Sequence, residues 1–175
     1  MHESDAATDR PNALSDPSAW SPSPAVLTRA GDTFTVQKRF RIRGHLRETG
    51  PVVYPENWPL LSPIFQKVER VSDDVVHEQI TFRVRGLVLQ SFEVFLRCRY
   101  TETDRLIRVD YSLIHERDDK IVVDEGYGEV RSSGTDAGFV RCTARKTLSF
   151  ASPYLNLLAP AFMIELFDAG PTERR

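Results

Sequence analysis

The chain has 175 residues, the length of one domain with a short tail. Hydrophobic residues make up 41% of it, which is enough to form a buried core. The net charge is −2 at pH 7, and residues 1–31 carry it with four acidic side chains against Arg10 and Arg29. The rest of the chain is neutral, which argues against a nucleic-acid-binding footprint but not against a local basic patch.

The sequence also limits the compartment and the cofactors. Cys98 and Cys142 both fall in predicted strands, which indicates small buried side chains in a reducing compartment. No Cys/His spacing is typical of a zinc site and no glycine-rich phosphate loop occurs, so we expect neither a metal nor a cofactor. The N-terminus lacks a secretory pattern, and no segment reaches the roughly 18 apolar residues that a membrane span needs. We therefore expect a cytoplasmic protein without a membrane span.

Residues 1–31 are rich in Ser, Pro, Ala and Asp, a composition typical of a disordered tail. Trp20 is the exception to this polar composition. It either docks on the domain or stays solvated in a loose tail, and the second alternative is favoured. The sequence therefore predicts a tail over 1–31, a domain over 32–170 and a C-terminal tail over 171–175.

The first predicted strand runs from Asp32 to Leu46. Phe34 and Val36 alternate with polar residues, as expected for a half-buried strand. Lys38 falls on the apolar face. Three explanations are open: the assumed register is wrong, the strand has a bulge, or the lysine lies in a cavity.

Residues 79–150 alternate in the same way over five segments joined by short turns, which predicts an antiparallel meander. These segments are 79–85, 89–101, 105–117, 121–130 and 139–150. In segment 121–130 two inward faces fit almost equally well. The odd set contains Glu125 and Tyr127, whereas the even set contains Asp124 and two glycines.

A C-terminal helix is predicted over 153–168. Ser152 is a typical N-cap and Pro153 suits the first helical position, while Pro160 should kink or split the helix. Apolar residues occupy almost every face, so the helix should be covered on all sides by the sheet, the short helices, a ligand or another subunit. A homodimer interface is one of these possibilities.

One passage carries a family resemblance. Pro55-Glu-Asn-Trp58-Pro59, then Ser62-Pro63 and Val68-Glu-Arg-Val71, resembles the helix-to-strand passage of the START-like, polyketide cyclase/dehydrase (SRPBCC) superfamily. The resemblance implies an α+β helix-grip fold. A curved antiparallel sheet of about six to seven strands would grip the C-terminal helix, with short helices after the first strand.

The resemblance implies a cavity for a small hydrophobic molecule between the sheet and the C-terminal helix. The protein would be a cofactor-free cyclase or dehydratase of polyketide-like or other secondary-metabolite substrates, or else a non-catalytic carrier of a lipid or other hydrophobic ligand. A chaperone-cofactor role ranks third.

The polar residues that the alternation places on apolar strand faces are the starting point for a site. They are Lys38, Gln90, Tyr100, Tyr111 and His115. The candidate catalytic residues are Tyr111, His115, Glu125 and Tyr127. The candidate ligand-binding residues are Phe82, Gln90, Phe92, Tyr100, Trp58 and Phe162.

Overall fold

The structure is a computed structural model that describes residues 20–22, 24–115, 120–134 and 138–168. Three α-helices are described: α1 (Leu46–Thr49), α2 (Trp58–Leu61) and α3 (Pro153–Asp168). Two short 3-10 turns, Gly50–Val53 and Pro55–Asn57, lie between α1 and α2. The described strands are β1 (Trp20–Pro22), β2 (Val26–Ala30), β3 (Thr33–Arg43), β4 (Phe65–Arg70), β5 (Val75–Val84), β6 (Leu87–Thr103), β7 (Leu106–Leu113), β8 (Ile121–Ser132) and β9 (Phe139–Phe150).

The strands form one antiparallel sheet in the order β1-β3-β9-β8-β7-β6-β5-β4, and β2 pairs with β3 beside β1. From β4 to β9 each strand pairs with the next one along the chain, as a meander requires. The predicted fold class, an antiparallel sheet with short helices after an early strand and a long C-terminal helix, is confirmed. The prolines between Tyr54 and Ile64 allow only short turns there, as predicted.

The two strands beyond the predicted set come from the segment predicted as a tail. β1 and β2 both pair with the outer edge of β3, and the Trp20 ring stacks on Phe40 with centroids 5.0 Å apart. An unpaired strand edge offers a row of N–H and C=O groups, so even short, proline-flanked segments can add to it. The tail expectation therefore does not hold for residues 20–22 and 26–30. Residues 1–19 and 171–175 lie outside the described residues, and where the domain begins stays a prediction.

The sheet curls around α3. The Phe162 ring of α3 stacks on Phe82 of β5 at 4.4 Å, and the Lys38 ammonium of β3 donates to the carbonyl of Phe167 in the same helix. Four strands separate β3 from β5 in the sheet. In a flat sheet that separation would be about 24 Å, roughly twice the width of a helix. The sheet must therefore bend for both strands to reach one helix, which is the grip that the resemblance implies.

Lys38 is explained by this contact. The β3–β9 pairing continues without a register shift through this residue, so neither a bulge nor an error of register is involved. Its side chain lies on the inner face, and its ammonium binds the C-terminal turn of α3, where free carbonyls attract a cation.

The helix α3 follows the predicted bounds but not the predicted burial. The Leu155 amide donates to the Ser152 hydroxyl oxygen at 3.4 Å, so Ser152 is the N-cap as predicted. The helix continues through Pro160 as one element. Phe162 is buried, whereas Leu157 is 75% and Ile164 is 42% exposed, so among the described residues nothing covers the outer side of the helix.

Phe162→Asp should destabilise the protein by more than about 4 kcal/mol, because it would place an unpaired charge among aromatic rings. Ile164→Asp, on the exposed side of the same helix, is the matched control and should cost less than about 1 kcal/mol. Thermal and urea unfolding of both variants measures the difference. Equal stability of the two variants would contradict the packing of α3 on the sheet.

Candidate functional site

Four polar side chains meet on the inner face of the sheet, each on a different strand: Glu78 of β5, Tyr111 of β7, Asp124 of β8 and Lys146 of β9. They are between 0% and 9% exposed. Glu78, for example, alternates with the buried apolar residues Val76 and Ile80 on its own strand, so strand geometry turns it inward.

Lys146 is the centre of this buried charge cluster. Its ammonium nitrogen lies 2.5 Å from Asp124 Oδ1 and 3.9 Å from Glu78 Oε1. It also lies 5.2 Å from the centroid of the Tyr111 ring, which is within cation–π range. Three strands separate β9 from β5, so a flat sheet would hold Lys146 and Glu78 about 19 Å apart. The cluster exists only because the sheet curls.

Gly126 of β8 makes room for this arrangement. It pairs in register with Tyr111 on one side and Lys146 on the other. The Tyr111 side chain crosses over it, and the Tyr111 hydroxyl donates to the carbonyl of Arg145 at 3.3 Å. A Cβ at residue 126 would lie 2.0 Å from that carbonyl oxygen and 2.6 Å from the Tyr111 hydroxyl oxygen. Only glycine fits between the strands at this point.

The two carboxyl groups of the cluster, Asp124 and Glu78, differ in protonation state. Burial lowers the pKa of Lys146, but Asp124, Tyr111 and Glu78 together outweigh burial, so the pKa is raised and Lys146 stays charged. Burial raises the pKa of Glu78 to about 8, although Lys146 pulls it down. At neutral pH the cluster is therefore a Lys146–Asp124 ion pair beside a mostly protonated Glu78.

Burial is also the main cause of the raised pKa of Tyr111. Lys146 lowers this pKa and the nearby Asp124 and Glu78 raise it further. Tyr111 is therefore a neutral hydrogen-bond donor at physiological pH and not a phenolate.

This packing leaves the carboxyl group of Glu78 without a hydrogen bond to any described residue. Its side chain is fully buried, and neither carboxyl oxygen has a hydrogen-bond partner among the described residues. A buried polar group without a partner costs about 1–3 kcal/mol. Native proteins keep such groups mainly where a water, an ion or a ligand completes the bonding.

Aromatic rings surround the cluster. Trp58 of α2 packs on Tyr111 at 5.1 Å, and its indole nitrogen donates to the carbonyl of Val53 at 3.2 Å. Further along the inner face, four residues beyond Glu78 and Lys146, Phe82 and Phe150 contact Phe162. The inner face therefore carries a polar zone and an aromatic zone about 13 Å apart along the strands.

The structure places the predicted site residues in several parts of the sheet. Tyr111 is in the buried cluster, with Trp58 against it, whereas Phe82, Phe92 and Phe162 are in the aromatic zone. Tyr100 lies on the inner face beside Tyr54, with the guanidinium of Arg70 over its ring at 4.6 Å. Gln90 is partly exposed and pairs in register with Phe82.

Three predicted catalytic residues do not join Tyr111. His115 is exposed beyond the end of β7, because the strand stops at Leu113. Glu125 and Tyr127 lie on the outer face, because Asp124 and the glycines occupy the inner face of β8. The even set is therefore the inward one, and the expectation that Glu125 and Tyr127 point inward is wrong.

Sequence reasoning missed Glu78 and Lys146. Lys146 has the parity of the apolar residues Cys142, Ala144 and Leu148, so the alternation already marked it as inward. Glu78 was missed because the predicted strand began at residue 79, whereas β5 begins at Val75. Extending that strand by four residues would have placed Glu78 between two inward apolar residues.

The outer face of the sheet carries an open pocket of about 590 Å³ over β6–β9. Its lining includes Glu125 and Tyr127 together with several arginines. In the described ranges no group of three or more His, Cys, Asp and Glu side chains is arranged to hold a metal ion. None of the described helices is long and apolar enough to cross a membrane.

Glu78→Gln should change how stability depends on pH. The folded-state pKa of about 8 lies above the ordinary value for Glu, so the proton that Glu78 retains stabilises the folded protein fully at about pH 4. This contribution falls as the pH rises and is gone above about pH 8. The Tm of the wild type should therefore decrease more between pH 5 and pH 9 than that of Glu78→Gln.

Glu93→Gln, at an exposed carboxyl on β6, is the control for this measurement and should follow the wild type. Parallel Tm curves for wild type and Glu78→Gln would show that Glu78 is not buried in its protonated form.

Gly126→Ala should destabilise the protein by about 1–3 kcal/mol, because the new methyl group meets a backbone carbonyl that cannot move away. The matched control is Gly134→Ala, where a Cβ would have no neighbour within 4 Å. Urea unfolding measures both variants. An unchanged midpoint for Gly126→Ala would contradict the close approach of Tyr111 to β9.

The comparisons with known proteins agree with this architecture. No family model matches the sequence, and no curated protein matches it. The structure is similar to that of a START superfamily protein from Mycobacterium smegmatis, with a TM-score of 0.56 at 14% identity over 77% of this chain and 92% of that one.

The human StarD13 (DLC2) lipid transfer and protein localization domain is similar over 86% of this chain and 85% of its own, with a TM-score of 0.55 at 9% identity. A conserved protein from Geobacillus kaustophilus reaches a TM-score of 0.51 at 7% identity, over 77% of this chain and 91% of that one. Likenesses at such low identity concern the fold alone. This chain has the START-like helix-grip fold.

Proposed function

We propose that the protein binds a small hydrophobic molecule on the inner face of the sheet, beneath α3. The ligand's apolar part packs in the aromatic zone of Phe82, Phe150 and Phe162, and its one polar group reaches Glu78. The observation that carries this proposal is the fully buried Glu78 carboxyl with no hydrogen-bond partner among the described residues.

The chemistry of Glu78 selects the polar group. Because its pKa is raised to about 8, Glu78 is mainly a carboxylic acid at neutral pH and can both donate and accept one hydrogen bond. An uncharged hydroxyl or carbonyl matches it, whereas a ligand carboxylate would add a second acid beside Asp124. The ligand is therefore a neutral, mainly apolar molecule with one oxygen function.

Binding requires α3 to shift. Phe82 and Phe162 are in contact at 4.4 Å, so a ligand must separate these rings to reach Glu78. The helix is suited to such movement, because its outer side carries exposed apolar residues and no described element packs on it. The lipid transfer domain of human StarD13 shares this fold, which supports ligand carriage as an analogy.

Carriage is favoured over catalysis. Lys146 is held by Asp124 and stays charged, so it is a poor base or nucleophile. His115 is exposed beyond the end of β7, and Glu125 is exposed on the outer face of β8. The groups left for proton transfer are Glu78 and the neutral Tyr111.

The second candidate function is the cofactor-free cyclase or dehydratase. One observation favours it: the pKa of Glu78, at about 8, is suited to proton transfer near neutral pH. In that reaction Glu78 would move the proton, and Tyr111 would donate a hydrogen bond to the oxygen on which charge develops.

Binding of 2-naphthol and naphthalene, which differ only in one hydroxyl group, tests the proposal. The wild type should bind 2-naphthol about tenfold more tightly, as one buried hydrogen bond is worth up to roughly 1.5 kcal/mol. Glu78→Leu should lose this preference while still binding naphthalene, and the exposed control Glu93→Gln should keep it. Isothermal titration calorimetry of the three proteins with the two probes gives the six affinities.

Failure of the wild type to bind either probe, together with native mass spectra showing no co-purified molecule, would overturn the proposal. Catalysis is distinguished by following the mass of a co-purified ligand over time. A mass change with wild-type protein that stops in Glu78→Gln, and slows in Tyr111→Phe but not in His115→Gln, would favour the enzyme.

A further inference from the structure

We propose that the outer face of the sheet carries a second site, which binds the phosphate or carboxylate group of an anionic molecule. This site is the open pocket of about 590 Å³ over β6–β9, on the opposite side of the sheet from Glu78. A pocket of this volume can hold a small organic ligand. The residues that matter here are Arg97, Arg99, Arg145, Ser112, Tyr127 and Thr147.

The register of the strands places two arginines around one spot. Arg99 pairs with Asp110, Asp110 with Tyr127, and Tyr127 with Arg145, so the four residues form a row across β6, β7, β8 and β9. The Cα atoms of Arg99 and Arg145 are thus three strand spacings apart, about 14 Å. Two arginine side chains can converge on one anion across this distance.

The acid between these arginines is already neutralised. Arg108, on the same face, holds both carboxylate oxygens of Asp110 and also binds Glu129 at 3.0 Å. Hydrogen bonding to Asp110 is the main reason why the pKa of Arg108 is raised. Arg131 binds Glu129 as well. Asp110 is therefore not available to pair with Arg99.

Arg99 and Arg145 remain as unpaired charges. Neither forms an ion pair with any residue that the structure describes, and both are exposed. Arg97 adds a third guanidinium, which approaches only the exposed Asp74 at 3.7 Å. Glu125 is the single lining carboxylate without such a partner, so the pocket is net positive.

The neutral part of the lining also suits an anion. Ser112, Thr147 and Tyr127 bring hydroxyl groups, which can donate to phosphate or carboxylate oxygens. All lining cations are arginines, whose planar forks bind such groups through two hydrogen bonds at once.

The anion has two possible sources, a free metabolite or an anionic lipid headgroup. None of the large exposed hydrophobic residues lines the pocket; within the described ranges they include Leu87, Leu157 and Ile164, which belong to the β5–β6 hairpin and α3. A headgroup in a bilayer would need apolar neighbours that insert beside it. The free anion is therefore favoured.

The test measures binding of inorganic pyrophosphate by calorimetry at low salt, where screening is weak. The wild type should bind it, and the double variant Arg99→Gln/Arg145→Gln should weaken binding at least tenfold. The matched control Arg39→Gln/Arg141→Gln removes the same charge from exposed positions outside the pocket and should change the affinity less than twofold.

Co-sedimentation with phosphatidylcholine vesicles containing phosphatidylglycerol identifies the source. Binding to these vesicles that is lost only in Arg99→Gln/Arg145→Gln would assign the site to a headgroup. Pyrophosphate binding without vesicle binding would assign it to a soluble anion.

No binding of pyrophosphate or vesicles, or equal losses in both double variants, would overturn the proposal. Glu78→Leu should leave pyrophosphate binding unchanged. The outer site and the proposed inner site can therefore fail independently.

Discussion

The sheet can bury α3 only by curling, and the rest of the structure depends on that curl. The side of the helix that faces the sheet is almost entirely apolar. Phe162 of the helix contacts Phe82 of β5, and the Phe167 carbonyl accepts a hydrogen bond from Lys38 of β3. Once β3 and β5 both reach the helix, the strands between them form a curved wall. This wall brings Glu78 of β5 close to Lys146 of β9, although three strands lie between them in the sheet.

Charges at the centre of that wall are costly, and their arrangement shows how the cost is limited. A buried ion pair gains enough attraction only when its geometry is good, as it is between Lys146 and Asp124 at 2.5 Å. A second buried carboxylate would leave the cluster with a net negative charge, and burial therefore keeps Glu78 protonated at neutral pH. A leucine at residue 78 would avoid this cost altogether, so a carboxyl at this position lowers stability, which is consistent with the proposed binding role.

The two faces of the sheet differ in chemistry and suggest different ligands. The inner face is aromatic with one buried polar cluster, which suits a neutral hydrophobic molecule. The outer face is solvated, rich in arginine and open, which suits a soluble anion. Because successive residues of a strand point to opposite faces, Arg145 and Lys146 lie on different faces although they are adjacent in sequence.

Local sequence patterns were enough to predict the meander, the short turns around Trp58, the bounds of α3 and its Ser152 cap, because periodicity and proline placement act locally. The alternation also placed Tyr111 on the inner face.

The sequence did not reveal that residues 20–22 and 26–30 add to the sheet, since pairing with the edge of β3 depends on a surface that forms only on folding. Alternation within β8 did not decide which set of its residues faces inward. The neighbouring strand decides it, because the Tyr111 side chain needs the space that only Gly126 leaves. The meeting of Glu78 with Lys146 was likewise decided by the tertiary structure, because the contact crosses three intervening strands and arises from the curl around α3, a long-range constraint that no local pattern records.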